Sequence, residues 1–203
     1  MGNVANQKNK PNYDNIASYY DVVDWLIPNK WRRKVTGLAY GRVLEVGIGT
    51  GLNLQFYPDY CREILGIDIS PRMLGQADKR ALLCQVPVKL EVMDVQDLLL
   101  DSDSFDCVLA TFVFCTVPDP FKGLRECLRV LKPGGKLILL EHMGSENKTL
   151  HQLMDWLNPV TVAIIGDHIN RNTVDMVAAT GFRMESVENL LGDVVRLIVA
   201  ERQ

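Results

Sequence analysis

Glu45, Gly47, Gly49 and Gly51 stand at alternate positions in Val-Leu-Glu-Val-Gly-Ile-Gly-Thr-Gly, residues 43–51. Glycine lets a backbone turn tightly and lets a ligand lie directly on the peptide groups, since no Cβ holds it off. The apolar residues before the turn read as a buried parallel strand. Further on, Ile64-Leu-Gly-Ile-Asp68 reads as a second short strand with a carboxylate at its carboxyl end. A carboxylate there accepts hydrogen bonds from both hydroxyls of a ribose and repels a bare 2′-phosphate. Asp94, followed by Val95, closes a third strand over residues 88–93. An acid that accepts from an exocyclic amine, beside an N–H that donates to a ring nitrogen, distinguishes adenine from guanine. The competing reading of Asp94 is a turn or helix cap.

The chemistry on the far side of such a cofactor would fall to other residues. His142 follows the strand at 136–140, where it either takes a proton near neutral pH or hydrogen-bonds a loop carbonyl. His168, between Asp167 and Asn170-Arg171, either orients a substrate or stitches its own loop. Phe112, Phe114 and Cys115 follow the very apolar strand 106–111 and are expected to face the crevice outside the strand ends, with Trp156 and Arg171 joining them. Core filling accounts for the apolar members of that set equally well. Tyr13 and Tyr20 belong to an expected lid of N-terminal helices, about residues 13–40, where a phenol covers the cofactor or packs on the core.

The elements that must position these residues follow from periodicity and turn chemistry. After the glycine turn, 52–57 starts a crossover helix that Pro58 keeps short. Ser70, with Pro71 after it, caps a helix through Leu82, and Asp119 caps one through Leu131. Leu131-Lys-Pro-Gly-Gly135 ends that helix, with Gly134 available for a left-handed cap. A helix carrying Leu150, Leu153, Trp156 and Leu157 is interrupted at Pro159, and another, 173–180, stops at Gly181. Residues from 187 and 194–200 form a final antiparallel pair.

The chain of 203 residues reads as a frayed polar start, 1–12, and one domain, 13–203, long enough to bury a core without disulfides or metal. Its net charge of −3 argues against a nucleic-acid binder. Five cysteines without a Cys-x-x-Cys pair disfavour zinc and a disulfide framework, so no metal is expected and a cytoplasmic setting fits. The basic segment Lys30-Trp-Arg-Arg-Lys34 either packs its apolar side on the sheet or makes weak peripheral contact with an anionic membrane.

The order strand, Glu-x-Gly-x-Gly-x-Gly, Asp68, Asp94-Val95 and Leu-Lys-Pro-Gly-Gly resembles the class I S-adenosylmethionine-dependent methyltransferases over roughly residues 13–181. It is most similar to the ubiquinone and menaquinone C-methyltransferase group and its small-molecule and lipid-directed relatives. Phe-Val-Phe-Cys-Thr-Val-Pro-Asp-Pro, Leu-Leu-Glu-His and Ile-Gly-Asp-His-Ile-Asn-Arg resemble alkyl-thiol and phospholipid N-methyltransferases. The hydrophobic anchor of the human thiol enzymes is not expected here, and the residues after the fifth strand differ from those of the quinone enzymes.

The resemblance implies a doubly wound α/β fold: a mostly parallel seven-stranded sheet with helices on both faces and the last strand antiparallel. It implies S-adenosyl-L-methionine as cofactor and S-adenosyl-L-homocysteine as product. The cofactor would be bound by Glu45, Gly47, Gly49, Gly51, Asp68, Ile69, Asp94, Val95, Thr111 and Tyr20. The acceptor would be a thiol, quinol, phenol or aminophospholipid headgroup, with His142 and His168 as candidate catalytic residues. A non-catalytic cofactor-binding module is the alternative. An NAD-linked oxidoreductase is disfavoured, because Leu52 stands where the dinucleotide fingerprint needs glycine.

Overall fold

The computed structural model describes residues 27–149 and 170–203, with 152, 154, 156 and 158 between them. Tyr13, Tyr20 and His168 lie outside the described residues. In chain order the elements are α1 (Asn29–Thr36), β1 (Gly41–Val46), a 3-10 turn (Leu54–Phe56), β2 (Cys61–Asp68), α2 (Pro71–Ala81), β3 (Val88–Val92), β4 (Phe105–Thr111), α3 (Pro120–Val130), β5 (Leu131–His142), α4 (Thr173–Thr180), β6 (Arg183–Leu191) and β7 (Val195–Glu201). They form the expected seven-stranded sheet, in the order β3-β2-β1-β4-β5-β7-β6. Strands β1 to β5 pair in parallel, and β7 runs against both of its neighbours.

Alternation along the central strands divides the core in two. In β1, Val43 faces one side with Leu54 and Leu74, and Leu44 faces the other with Leu124 and Val130. Helix α1, the 3-10 turn and α2 therefore cover one face, while α3 and α4 cover the other. The winding direction reverses between β1 and β4, so the connections leaving their carboxyl ends diverge and open a crevice there.

Local signals explain most of the boundaries. Ser70 accepts from the Met73 N–H at 3.2 Å and Asp119 from the Lys122 N–H at 3.0 Å, and a proline occupies the first turn of each helix. Gly181, at φ 105°, ends α4 in the left-handed conformation.

Two expectations change. The crossover between β1 and β2 contains no α-helix, only the 3-10 turn, because Pro58 leaves too few residues for one. Gly134 does adopt a positive φ of 76°, but α3 already ends at Val130, too far upstream for Gly134 to cap it. The Leu-Lys-Pro-Gly-Gly segment instead opens β5 and pairs with the chain end: Gly134 N–H donates to Arg202 O at 2.8 Å and Arg202 N–H to Gly135 O at 2.9 Å.

Candidate functional site

A cleft opens at the carboxyl ends of β1 to β4. Its wall includes Glu45, Gly47, Ile48 and Gly49 from the glycine turn, Asp68 and Ile69 after β2, Asp94, Val95 and Gln96 after β3, and Thr111, Phe112, Val113, Thr116, Val117 and Pro118 after β4. Arg32, Val46, Asn53, Ile67, Met73 and Met93 complete it.

The three glycines serve three different needs. A Cβ on Gly47 would meet Val113 Cγ2 at 2.6 Å, so this position lets the loop after β4 press against the turn. A Cβ on Gly51 would meet Ala77 at 3.1 Å, so the missing side chain of Gly51 lets α2 pack close to the turn. A Cβ on Gly49, at φ 57°, would find no heavy atom nearer than 4.0 Å. Gly49 is thus the one whose bare backbone faces open cleft.

Asp68 holds that backbone in place. One carboxylate oxygen accepts the Gly49 N–H at 3.0 Å and the other accepts the Ser70 N–H at 2.9 Å. An ionised carboxylate offers about four lone-pair sites, an acceptor chemistry that suits ribose hydroxyls as well as backbone N–H groups. Asp94 is oriented similarly: Oδ1 accepts from the Gln96 N–H and Nε2, both at 3.0 Å, and Gln96 Oε1 accepts the Asp119 N–H at 3.0 Å. Gln96 therefore links the acid after β3 to the start of α3.

Beneath the turn lies a buried polar network. Asn53 Nδ2 donates to Glu45 Oε1 at 2.8 Å and to Thr111 Oγ1 at 2.9 Å, while its Oδ1 accepts from Arg32 Nη1 at 2.9 Å. Tyr57 OH donates to the other Glu45 oxygen at 2.9 Å. Burial and the neighbouring Glu45 carboxylate push the Tyr57 phenol well above its ordinary pKa, so it stays a donor. Glu45 thus touches the cleft while both of its oxygens hold the turn and the Leu54–Phe56 segment. Arg32, buried and bonded to Asn53, brings a cation to the cleft wall, a chemistry suited to an anionic ligand group.

The acceptor side departs from expectation. Phe112 lines the cleft, but Phe114 is fully buried against α3 and Cys115 is also buried. Phe112 has a left-handed backbone, φ 56°, and the chain beyond it turns back into the core. Arg171 donates from Nη1 to Phe114 O and Val117 O, both at 2.7 Å, so it braces the loop from behind. Trp156 is 75% exposed, and His142, in register with Val195 at the end of β5, is not part of the described wall.

Sequence reasoning missed Arg32, Asn53 and Gln96. Only the acid-amide chemistry of Gln96 so soon after Asp94 offered a local signal.

The donor set fits an adenosine-bearing methyl donor. It presents an open glycine backbone, a ribose-height acid, a second acid beside an apolar Val95, and a buried cation. Residues 44–139 match the family model described as "Methyltransferase domain". A phosphatidylethanolamine N-methyltransferase from Cereibacter sphaeroides is 38% identical over 112 residues, 54% of this chain and 55% of the relative. A ubiquinone/menaquinone biosynthesis C-methyltransferase from Geobacter sp. (strain M21) is 37% identical over 142 residues, 64% of this chain and 60% of the relative. The chain thus spans little more than half the length of these relatives. The crystal structure of a SAM-dependent methyltransferase from Thermotoga maritima, described as a possible histamine N-methyltransferase, superposes with a TM-score of 0.71 at 21% identity. That superposition covers 94% of this chain and 98% of the other.

Proposed function

We propose, because residues 44–139 match the methyltransferase-domain model and the sheet has the class I arrangement, that the protein transfers a methyl group from S-adenosylmethionine to a small or lipid-like apolar acceptor. The observation that carries this reading is the open backbone of Gly49, hydrogen-bonded to Asp68 and flanked by Asp94 from the next strand end. When bound, the donor supplies a methyl carbon made electrophilic by its sulfonium. Asp68 would accept from the ribose, Asp94 and the Val95 backbone would read adenine, the Gly47–Gly49 backbone would lie along the methionine part, and Arg32 would meet its carboxylate.

The chain's main contribution is alignment and water exclusion. Phe112, Val113, Val117 and Pro118 give the wall after β4 an apolar surface. Low polarity favours a step that dissipates the sulfonium charge, and it suits an apolar acceptor. A base is required only for an acceptor that arrives protonated, such as a thiol or phenol, and not for a free amine. His142 and His168 are the proposed candidates. Replacing His142 by Ala would lower turnover on protonated acceptors alone if it is a base.

The test is calorimetric titration with S-adenosylhomocysteine, followed by transfer of labelled methyl to a panel of thiols, quinols, phenols and aminophospholipids. Micromolar binding with turnover on at least one acceptor supports the enzyme. Binding without turnover on any of them supports the cofactor-binding module, and no binding overturns both.

A further inference from the structure

Phe112 is a bulky residue held at φ 56°, a conformation that L side chains rarely adopt and that persists only where the surroundings enforce it. The surroundings here are specific. The Phe112 N–H donates to Leu140 O at 2.8 Å, which fixes the end of β4 against β5. The next two N–H groups, of Val113 and Phe114, converge on one oxygen of Glu141, each at 3.0 Å. Successive N–H groups around a left-handed residue form a concave anion-binding nest, and here a carboxylate of the chain fills it. Glu141 is fully buried, so its charge is held by these donors without direct contact with solvent. From the other side, Arg171 donates to Phe114 O and Val117 O. The loop so clamped supplies the wall residues Phe112, Val113 and Val117 and presses Val113 against Gly47.

The geometry points to Glu141 as a positioning residue: its carboxylate holds the strained loop after β4 in the form that shapes the acceptor wall, with Arg171 as the second brace. Glu141 is not among the residues that line the cleft. It acts through the backbone of the residues that do. This inference rests on the acceptor-side reading proposed above, but the clamp itself can be tested without any acceptor.

The experiment compares wild type with Glu141→Gln, which keeps the size and removes the charge. Amide hydrogen exchange, resolved along the sequence, reports the clamp. Calorimetry with S-adenosylhomocysteine reports the donor site, and steady-state kinetics with any acceptor found active reports the wall. The expected result is exchange at residues 112–117 at least tenfold faster, with β1 and the rest of β4 unchanged, and donor affinity within threefold. The acceptor KM rises at least fivefold while kcat stays within twofold. Unchanged exchange in the loop overturns the clamp. Exchange that rises equally across the sheet assigns Glu141 a general stabilising role and also overturns it. Faster loop exchange with an unchanged acceptor KM overturns the link to the wall. A wild type that binds no donor defeats the proposed function and leaves the exchange result to decide the clamp alone. Should Glu141→Gln fail to fold, Arg171→Gln carries the same expectations, since it loosens the same loop from the opposite side.

Discussion

Gly47 and Gly49 are two residues apart with nearly the same φ, 60° and 57°, yet their substitution should give different results. Valine at Gly47 would drive its Cβ into Val113 at 2.6 Å in a conformation β-branched residues avoid, so Gly47→Val should lower unfolding stability by about 2 kcal/mol or more in denaturant titration. Valine at Gly49 bears the backbone cost but projects into open cleft, so its larger effect should be on S-adenosylhomocysteine affinity. If Gly49→Val left that affinity within twofold of wild type by calorimetry, the backbone approach would be wrong. Asp68→Ala should weaken the same affinity at least about tenfold, roughly 1.4 kcal/mol, from two causes: lost ribose contacts and the lost tether to the Gly49 N–H. The glycines and strand-end acids were legible because their chemistry is local to a short motif. Arg32, Asn53 and Glu141 were not, because Arg32 meets Asn53 across 21 positions and Glu141 meets Val113 across 28, and such pairings exist only once the sheet order is known.

At the scale of elements, the amino ends of the strands are joined by one side chain. Asp106 on β4 accepts the Arg42 N–H from β1 at 2.7 Å and pairs with Arg62 of β2 and Lys132 of β5, both at 2.6 Å. Burial alone would raise its pKa, but the Arg42 N–H, Lys132 and Arg62 outweigh burial and bring it down to about 2. A carboxyl with a folded pKa below its unfolded value stabilises the fold above about pH 4 and loses that contribution as pH falls toward 2. With Arg62 largely exposed and screened, the contribution is about 1 to 2 kcal/mol. Asp106→Asn should therefore be less stable than wild type by that amount at pH 5, and the two denaturation curves should converge near pH 2. A difference that persists at pH 2 would assign the effect to packing instead of charge. Helix boundaries were legible wherever a cap was local, as at Ser70, Asp119 and Gly181. The Leu-Lys-Pro-Gly-Gly segment was misread because its partner, Arg202, lies at the far end of the chain.

For the whole molecule, the parallel order and the reversal between β1 and β4 place the cleft, and three charges of the N-terminal basic segment meet partners within the chain. Arg32 is buried in the cleft network, Arg33 lies over the Phe56 ring at 4.8 Å, and Lys34 pairs with Glu188. Among the described residues no helix is long and apolar enough to cross a membrane. A ligand held by Gly49, Asp68 and Asp94 would join the ends of β1, β2 and β3, strands whose pairing must separate when the sheet unfolds. Such a ligand binds the folded state alone and stabilises it by mass action, by about 2.7 kcal/mol at a hundred times its Kd. For a chain of this size that corresponds to a rise of roughly 5 to 10 °C in the unfolding midpoint. S-Adenosylhomocysteine should give that rise in a thermal scan and S-inosylhomocysteine a smaller one, because the inosine ring lacks the amine from which Asp94 is proposed to accept. Equal rises for the two would remove Asp94 from base recognition while leaving Asp68 and the glycine turn in place, and a tenfold weaker Asp68→Ala should show only about half of the rise at the same ligand concentration.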